Sequence, residues 1–377
     1  MTPSADAEHR TDSDRTFEAF ETRDGGIGVR NRLLVLPSVI CSHIVADRIA
    51  DELPGAVSAP HDHGCGQLGS DTDQSRRTFL GIGTNPNVMG VVVVGLGCET
   101  IQSDELAAQL SDLEVPVREL SIQSSGGSEQ TVDRGIEAGR ELLSDRADRQ
   151  TDGTLGDLTV GIVSSDVRDS TVDAADPLVG EFAERVVDAG GRVVVAGTER
   201  LLPHTDDLRE LAADDAARSS VDRVFDERRQ EPPRTPGLQR RAAERSAEEL
   251  TRSWNGLPIR DVLPYGERAS HDSGVALVDA PAQFAEAATA LAGAGAHVVL
   301  HATADGIPVG HPIVPVVKLT GEESTYRTLE SDIDVDATRA DVDDLEETVR
   351  DVLGGQPSCA ERHGLTEFAV TRVGPSM

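Results

Sequence analysis

The sequence predicts an α/β protein with two Rossmann-like parallel-sheet domains, each flanked by helices. Short runs of β-branched residues alternate with stretches rich in Ala, Asp, Glu and Arg, which is typical of parallel strands buried on both faces and joined by helices. The chain has 377 residues, more than the roughly 250–300 at which one hydrophobic core stops growing. No short internal repeat is visible, which argues against a solenoid or a propeller.

The first predicted domain covers residues 23–150. Strands are expected where β-branched residues run together, and helices where apolar residues recur at helical spacing. Residues 1–22 are rich in Thr, Asp, Ser and Glu and predict a flexible acidic tail. The predicted strands are Arg32–Leu36, Ala56–Ala59, Val91–Leu96 and Val117–Ile122, and the predicted helices are Cys41–Glu52, Asp73–Gly81, Ser103–Leu113 and Glu129–Leu143.

The second predicted domain covers residues 151–377, because the polar stretch Asp145–Gly156 indicates a boundary. A charged, arginine-rich insertion at about 206–255 predicts helical pieces around an exposed loop that contains the pair Pro232–Pro233. Apolar residues at helical spacing predict a further helix within Ala340–Leu353. The other predicted elements are the strands Leu158–Val163, Arg192–Ala196, Gly274–Val278, His297–His301 and Val314–Leu319, and the helices Pro177–Ala189 and Ala282–Ala294.

The chain is strongly acidic, with 67 Asp and Glu against 35 Lys and Arg and a formal net charge of −32. A surface of this sign repels phosphate, so we expect neither nucleic acid nor anionic lipid as a partner. Lys318 is the only lysine, beside 34 arginines. Excess carboxylate with almost no lysine predicts a halophilic protein, because molar salt shortens the Debye length to roughly 3 Å and screens self-repulsion.

The four cysteines, Cys41, Cys65, Cys98 and Cys359, show no pairing pattern, and no secretory signal is visible. We therefore expect a cytoplasmic protein with reduced thiols. No apolar run approaches the roughly 20 residues that span a bilayer, so no membrane association is expected.

Residues that carry chemistry follow the predicted strands of the first domain. In open parallel sheets, ligands bind beyond the carboxyl ends of the strands. Thiols, imidazoles and a carboxylate are thus predicted at one sheet edge, with glycines that let backbone N–H groups approach an anion. Cys41 follows the first strand, His61, Cys65 and Gln67 the second, Cys98 and Glu99 the third, and Gln123 and Ser124 the fourth.

Each of these residues also has a structural interpretation. A cytosolic cysteine is most often a small buried hydrophobic residue. His61 and His63 could bind a metal or act in catalysis from one face of an extended segment, or they could form a solvated pair. No spacing matches a closed zinc site, which usually shows C-x₂₋₄-C pairs. The residue pattern by itself predicts a metal- or anion-binding α/β enzyme.

A series of motifs is more specific than its parts. In the first half they are Arg23–Asn31, Leu36-Pro37, His61-x-x-Gly64-Cys65-x-Gln67, Asn85-Pro86-Asn87 and Gly95–Glu99, and in the second half Pro264–Arg268, Leu291–His297, Pro315–Lys318 and Asp332–Asp334. In this order, the series resembles the altronate/galactarate dehydratase family of hydro-lyases. The resemblance runs over about residues 23–377.

The resemblance implies a metal-dependent dehydratase that acts on a sugar acid or a related hydroxy acid. It implies a divalent metal, Fe²⁺ first and Mn²⁺ second, with His61, Cys65 and Cys98 as ligands. Such a metal would stabilise the enediolate-like charge while a side chain acts as base. The catalytic residues implied are His61, Arg30 and Glu99, and the substrate-binding residues implied are Asn31, Gln67, Gln123, Ser124 and Lys318.

Arg30 has two interpretations, a clamp for the substrate carboxylate and a structural salt bridge. Some relatives divide their chain between two subunits, so a separate small subunit is expected as a partner, and a homo-oligomer is a further expectation.

The second half departs from the family pattern. Where members carry Cys-Gly-Gly-Ser-Asp, this chain has Ser164–Arg168, and Pro281–Phe284 replaces a Pro-Gly-Asn-Asp-like turn. Serine in place of cysteine is a poorer ligand for a soft metal. The alternatives are therefore a diverged, non-catalytic or regulatory subunit of such a lyase, or a large subunit like that of the sulfolactate lyases. His301 and His311 could supply new polar groups or be solvated loop histidines.

Overall fold

The computed structural model describes residues 15–144, 149–231, 234–372 and 374. The described chain forms three sheets, and every strand pair in the two larger sheets is parallel. The strands are β1 Phe17–Glu21, β2 Ile27–Gly28, β3 Arg32–Pro37, β4 Ala56–Ser58, β5 Val88–Gly95, β6 Val117–Ser121, β7 Gln150–Gly153, β8 Thr159–Ser164, β9 Arg192–Val195, β10 Ile259–Leu263, β11 Gly274–Val278, β12 Val298–Ala302, β13 Val316–Thr320 and β14 Val335–Asp336.

Helices pack on the faces of the two larger sheets. They are α1 His43–Asp51, α2 Ser70–Gly83, α3 Ser103–Asp112, α4 Ile122–Ser125, α5 Ser128–Ser144, α6 Asp176–Asp188, α7 Thr198–Leu201, α8 Thr205–Leu211, α9 Asp215–Gln230, α10 Pro236–Ala242, α11 Ala247–Leu250, α12 Phe284–Gly293, α13 Glu323–Thr328, α14 Val342–Leu353 and α15 Cys359–Arg362. Within the described ranges, no helix is both long and apolar enough to cross a membrane.

The first large sheet has four strands in the order β4-β3-β5-β6. Its two central strands consist mostly of buried Val and Leu, which is what burial on both faces requires. The predicted first-domain strands and helices are all present with boundary shifts of a few residues. α12, from the second half, packs against α2 of the first, so one apolar core joins the two sheets.

The second large sheet has seven strands in the order β10-β11-β9-β8-β12-β13-β14. Five of these strands match the predictions, but β10 and the short edge strand β14 were not predicted. The insertion at about 206–255 is helical, as predicted, and comprises α8 to α11 with a 3₁₀ turn at Arg252–Trp254. The pair Pro232–Pro233 lies outside the described residues.

A small antiparallel sheet, β2-β1-β7, corrects the prediction of a tail over residues 1–22. β1 pairs with β7 from Phe17 to Phe20, and Phe17 and Ala19 are buried in the core of the second sheet. Although the segment is mostly polar, its buried and exposed residues alternate as in a strand, so that Phe17 and Ala19 share one face. The rest of the predicted tail, residues 1–14, lies outside the described residues.

Candidate functional site

The loops that follow β3, β4 and β5 meet at the carboxyl edge of the first sheet, as predicted. The Ile40 N–H donates to the His63 carbonyl at 2.8 Å, and the Thr100 N–H donates to the Gly64 carbonyl at 3.0 Å. Gly64 has φ +93°, and a Cβ there would lie 2.2 Å from the Ser38 carbonyl oxygen. Only glycine fits where the two loops pass this closely, which explains the glycine at position 64 of the His-x-x-Gly-Cys motif.

His61 is buried under this edge and is held by backbone groups on both sides of its ring. Its Nε2 lies 2.6 Å from the Pro37 carbonyl oxygen, and its Nδ1 accepts the N–H of His63 at 3.1 Å. These partners require a proton on Nε2 and occupy the lone pair of Nδ1. Burial lowers the pKa of His61 to about 4. In this arrangement neither ring nitrogen is free to accept a proton or to bind a metal.

His63 and Gln67 form a buried polar group behind His61. The Gln67 amide nitrogen lies 2.9 Å from His63 Nδ1 and donates to Ser75 Oγ at 2.8 Å. Its amide oxygen accepts the Gly64 N–H at 3.2 Å. With both ends of its amide engaged, Gln67 holds the motif loop in place, and its predicted contact with substrate stays a prediction.

Glu99, also buried, fastens the loop after β5. Its Oε2 accepts the N–H groups of Gly97 at 2.6 Å and Cys98 at 2.8 Å, and Ser38 Oγ donates to Oε1 at 3.0 Å. The carboxylate thus occupies the small cradle of backbone N–H groups that the sequence predicted for an anionic ligand.

The predicted metal ligands are not gathered into a ligand set. Cys65 and Cys98 are exposed, and His61 is held by the backbone as described above. No group of three His, Cys, Asp or Glu residues within the described ranges is placed to hold a metal ion. As arranged, His61, Cys65 and Cys98 therefore do not form a metal site.

Gln123 and Ser124 lie beyond the carboxyl end of β6, at the predicted edge, and both are exposed. The Gln123 N–H donates to the Leu96 carbonyl at 3.1 Å, which brings it beside the loop after β5. Ser124 Oγ donates to the Ser121 carbonyl at 3.1 Å.

Arg30 and Asn31, which the resemblance assigns to one site with His61, lie instead at the opposite, amino edge of the sheet. They precede β3, whereas His61 contacts Pro37 at its far end. Strands rise about 3.3 Å per residue, so the length of β3 separates them by roughly 15 Å. Arg30 forms the structural salt bridge: it donates to both carboxylate oxygens of Glu361 at 2.8 and 2.7 Å and to the Val352 carbonyl at 2.8 Å.

A second cluster lies at the carboxyl edge of the larger sheet. Lys318 is fully buried on β13, and its Nζ has no hydrogen-bond partner in the described part of the chain. The nearby Asp334 carboxylate is occupied by the backbone N–H groups of Lys318 at 2.8 Å and Cys359 at 2.7 Å. Burial lowers the pKa of Lys318. A buried amine without a partner is costly, so this position is suited to a ligand that brings an anion.

His301 occupies the position on β12 that is in register with Lys318 on β13. It is fully buried, which shows that the interpretation as a solvated loop histidine is wrong for this residue. His311, 5% exposed, is buried as well. Burial first, and the Lys318 charge second, lowers the pKa of His301 to about 3. The sequence signal for this cluster was a lysine inside the apolar strand Val316–Thr320.

The segment Ser164–Arg168, where the family pattern is altered, divides its side chains between the two faces of the sheet. Ser164 Oγ donates to Asp176 at 2.6 Å, and Asp176 pairs with Arg200 at 2.6 Å in a buried group. Ser165 Oγ lies 2.7 Å from His301 Nε2. The position that carries cysteine in the family pattern thus supports the core, and the next residue lies in the polar cluster.

These features define an α/β protein with two large parallel sheets and a buried polar cluster around Lys318 and His301 near the carboxyl edge of the larger one. The family model described as "D-galactarate dehydratase/Altronate hydrolase, second domain" matches residues 19–147, and that described as "D-galactarate/Altronate dehydratase, C-terminal" matches residues 243–376. The chain belongs to the altronate/galactarate dehydratase family.

Three curated relatives show the same similarity over nearly the whole chain. Altronate dehydratase of Bacillus subtilis is 28% identical over 100% of this chain and 81% of its own length. Altronate dehydratase of Escherichia coli is 28% identical over 97% of this chain and 79% of its own length. The (2R)-sulfolactate sulfo-lyase subunit beta of Chromohalobacter salexigens is 26% identical over 95% of this chain and 98% of its own length.

Proposed function

We propose that this chain is a hydro-lyase that dehydrates a sugar acid, and that the substrate carboxylate binds at Lys318. The class of reaction follows from the family. Lys318 supports the placement: on β13, two residues before the strand ends, it carries a fully buried amine without a hydrogen-bond partner in the described chain. A substrate carboxylate there would give the amine a hydrogen-bonded anionic partner.

The assay offers altronate, galactarate and (2R)-sulfolactate to the purified protein, at low and at molar salt, and follows the formation of product. We expect dehydration of altronate or galactarate in wild type. Lys318→Met, which replaces the amine with an apolar chain of similar length, should lose at least 10²-fold in kcat/KM. Turnover of none of the three acids would contradict the proposed function, and full activity of Lys318→Met would contradict the placement.

A second candidate is elimination of sulfite from a sulfonated acid. It is favoured by similarity, because the sulfo-lyase subunit is 26% identical over 95% of this chain, close to the 28% identity of each altronate dehydratase. Release of sulfite from (2R)-sulfolactate, without dehydration of either sugar acid, would select it.

One relative is named a subunit, so we also propose a separate small subunit. Affinity purification from the native source, followed by mass spectrometry, would detect one.

We also propose that a divalent cation, Fe²⁺ or Mn²⁺, supports the reaction, and that the protein works in a salty cytoplasm. The resemblance motivates the metal and the net charge of −32 motivates the habitat. Metal analysis of native protein, before and after chelation, tests the requirement through a paired activity assay.

Cys65→Ser and Cys98→Ser test the ligands, with Cys41→Ser as matched control, because all three thiols are exposed. The present arrangement predicts equal metal content in all three variants. A loss confined to Cys65→Ser and Cys98→Ser would support the ligand set predicted from the sequence.

A further inference from the structure

The imidazole of His301 has one engaged and one unengaged nitrogen. Nε2 lies 2.7 Å from Ser165 Oγ, and Nδ1 is buried without a hydrogen-bond partner in the part of the chain that the structure describes. When Nε2 carries the proton and donates it to Ser165, Nδ1 presents a free lone pair. This differs from His61 and His297, whose ring nitrogens all have backbone partners.

The unengaged nitrogen lies in a row of polar groups on one face of the sheet. His301 and Lys318 are in register on parallel strands, so their side chains project to the same face, with backbones about 4.8 Å apart. Thr303 follows two residues after His301 on that face, and its buried hydroxyl also has no partner within the described ranges. An amine, an imidazole nitrogen and a hydroxyl, each without a hydrogen-bond partner in the described chain, therefore lie on the same face of the sheet.

We propose that His301 is the proton-transferring catalytic residue of this lyase, with Lys318 holding the substrate carboxylate beside it and Ser165 positioning the ring. The proposal rests on the proposed function. The substrate class is a carboxylate with a hydrogen on its α-carbon and a hydroxyl on its β-carbon, which spans the neighbouring side chains of β12 and β13.

The protons and electrons of this step balance as follows. Nδ1 of His301 takes the proton from the α-carbon, and the electron pair of the C–H bond moves towards the carboxylate, whose added charge lies against Lys318. That pair then forms the C=C bond while the C–O bond at the β-carbon breaks. The leaving hydroxide takes the proton from Nδ1 and departs as water. The step requires no oxidant or reductant, and His301 returns to its starting protonation state.

Phe284 packs against His301. Its ring centroid lies 4.6 Å from that of His301, and it belongs to the Pro281–Phe284 segment that departs from the family pattern. Because His301 and Lys318 are fully buried, substrate reaches Nδ1 only when a covering group such as Phe284 moves aside.

The test compares His301→Gln with wild type, using altronate or whichever of the three acids wild type turns over. General acid–base groups contribute about 10²–10⁴-fold, so we expect kcat to fall at least 10²-fold while calorimetric binding of the acid stays within threefold. Wild type should show a primary isotope effect when the α-carbon carries deuterium. His271→Gln is the matched control, because His271 Nδ1 is also buried and without a partner in the described chain but precedes β11 at the opposite edge.

A kcat for His301→Gln within tenfold of wild type would overturn the role of His301 while the proposed function stands. An equal loss in His271→Gln would overturn it as well. If wild type turns over no acid, the proposed function fails and this role fails with it.

Should His301→Gln not fold, Ser165→Ala tests the same proposal, because it leaves the imidazole in place and removes the hydroxyl that orients it. We expect about fivefold lower kcat with unchanged KM, since one hydrogen bond contributes about 1 kcal/mol and about 1.4 kcal/mol is tenfold in rate. Unchanged kcat in Ser165→Ala would overturn the proposal.

Discussion

His301 and Lys318 occupy paired positions on adjacent parallel strands, and each has a buried nitrogen without a hydrogen-bond partner in the described chain. Two such buried neighbours oppose folding, because each nitrogen loses its hydration and gains no hydrogen bond in return. Retaining them is reasonable where a bound anion completes the arrangement. Replacing Lys318 should therefore change activity and stability in opposite directions.

Lys318→Met should raise the free energy of unfolding while it removes activity. An unsatisfied buried polar group costs about 1–3 kcal/mol, and methionine fills nearly the same volume without that cost. Urea denaturation of wild type and variant in the same molar salt measures the change. A variant less stable than wild type would show that the amine has a stabilising partner in the protein.

His61→Ala should destabilise the protein by about 2–4 kcal/mol, because it removes two hydrogen bonds and a ring that packs 4.6 Å from Phe79. Alanine at His363, an exposed histidine, is the control and should change stability by less than about 0.5 kcal/mol. A His61→Ala protein of unchanged stability that has lost turnover would instead support the catalytic role predicted from the sequence.

Arg30→Gln should lower stability by about 2–4 kcal/mol and leave KM unchanged, because Arg30 joins the start of β3 to Glu361 near the carboxyl end of the chain. Arg48→Gln, which breaks the exposed pair with Glu129, should cost much less, because solvent screens an exposed ion pair. Thermal unfolding compares the two variants. A raised KM in Arg30→Gln at unchanged stability would instead support the interpretation of Arg30 as a clamp for the substrate carboxylate.

Stability should fall as the pH drops from about 6.5 towards 4. Burial lowers the pKa of His61 and His297 to about 4, and that of His301 and His311 to about 3. Below an unfolded pKa of about 6.5, the unfolded chain binds protons that the folded chain does not, so unfolding is favoured by up to about 1.4 kcal/mol per pH unit for each histidine.

Denaturation at pH 7.5 and pH 5, at constant salt, measures this slope. His297→Asn, which removes one buried imidazole, should have a shallower slope than wild type. A slope equal to that of wild type would show that His297 does not contribute.

Most of the sheet architecture could be predicted because parallel strands buried on both faces are written as unbroken apolar runs, as in Val88–Gly95. β1 was missed because its two buried positions alternate with charged and half-buried residues in Phe17–Glu21. β10 was missed for the same reason, since Arg260 and Asp261 interrupt its apolar run.

The site could be predicted only in part. The meeting of loops at the carboxyl edge of the first sheet follows from topology, and it is present. Which nitrogen of His61 has a partner depends on backbone atoms of Pro37 and His63, and no residue pattern encodes that. Arg30 was misplaced because a motif residue before a strand and one after it lie at opposite edges of the sheet.

The fact that Lys318 is the only lysine also has a practical use. Apart from the chain terminus, the protein has one primary amine, and that amine is fully buried. An acylating reagent that modifies amines can therefore add a label at this one side chain, and intact-mass spectrometry would count it without any digestion. The rate of labelling would time the opening of the cluster directly, and an acid that occupies the cluster would slow it.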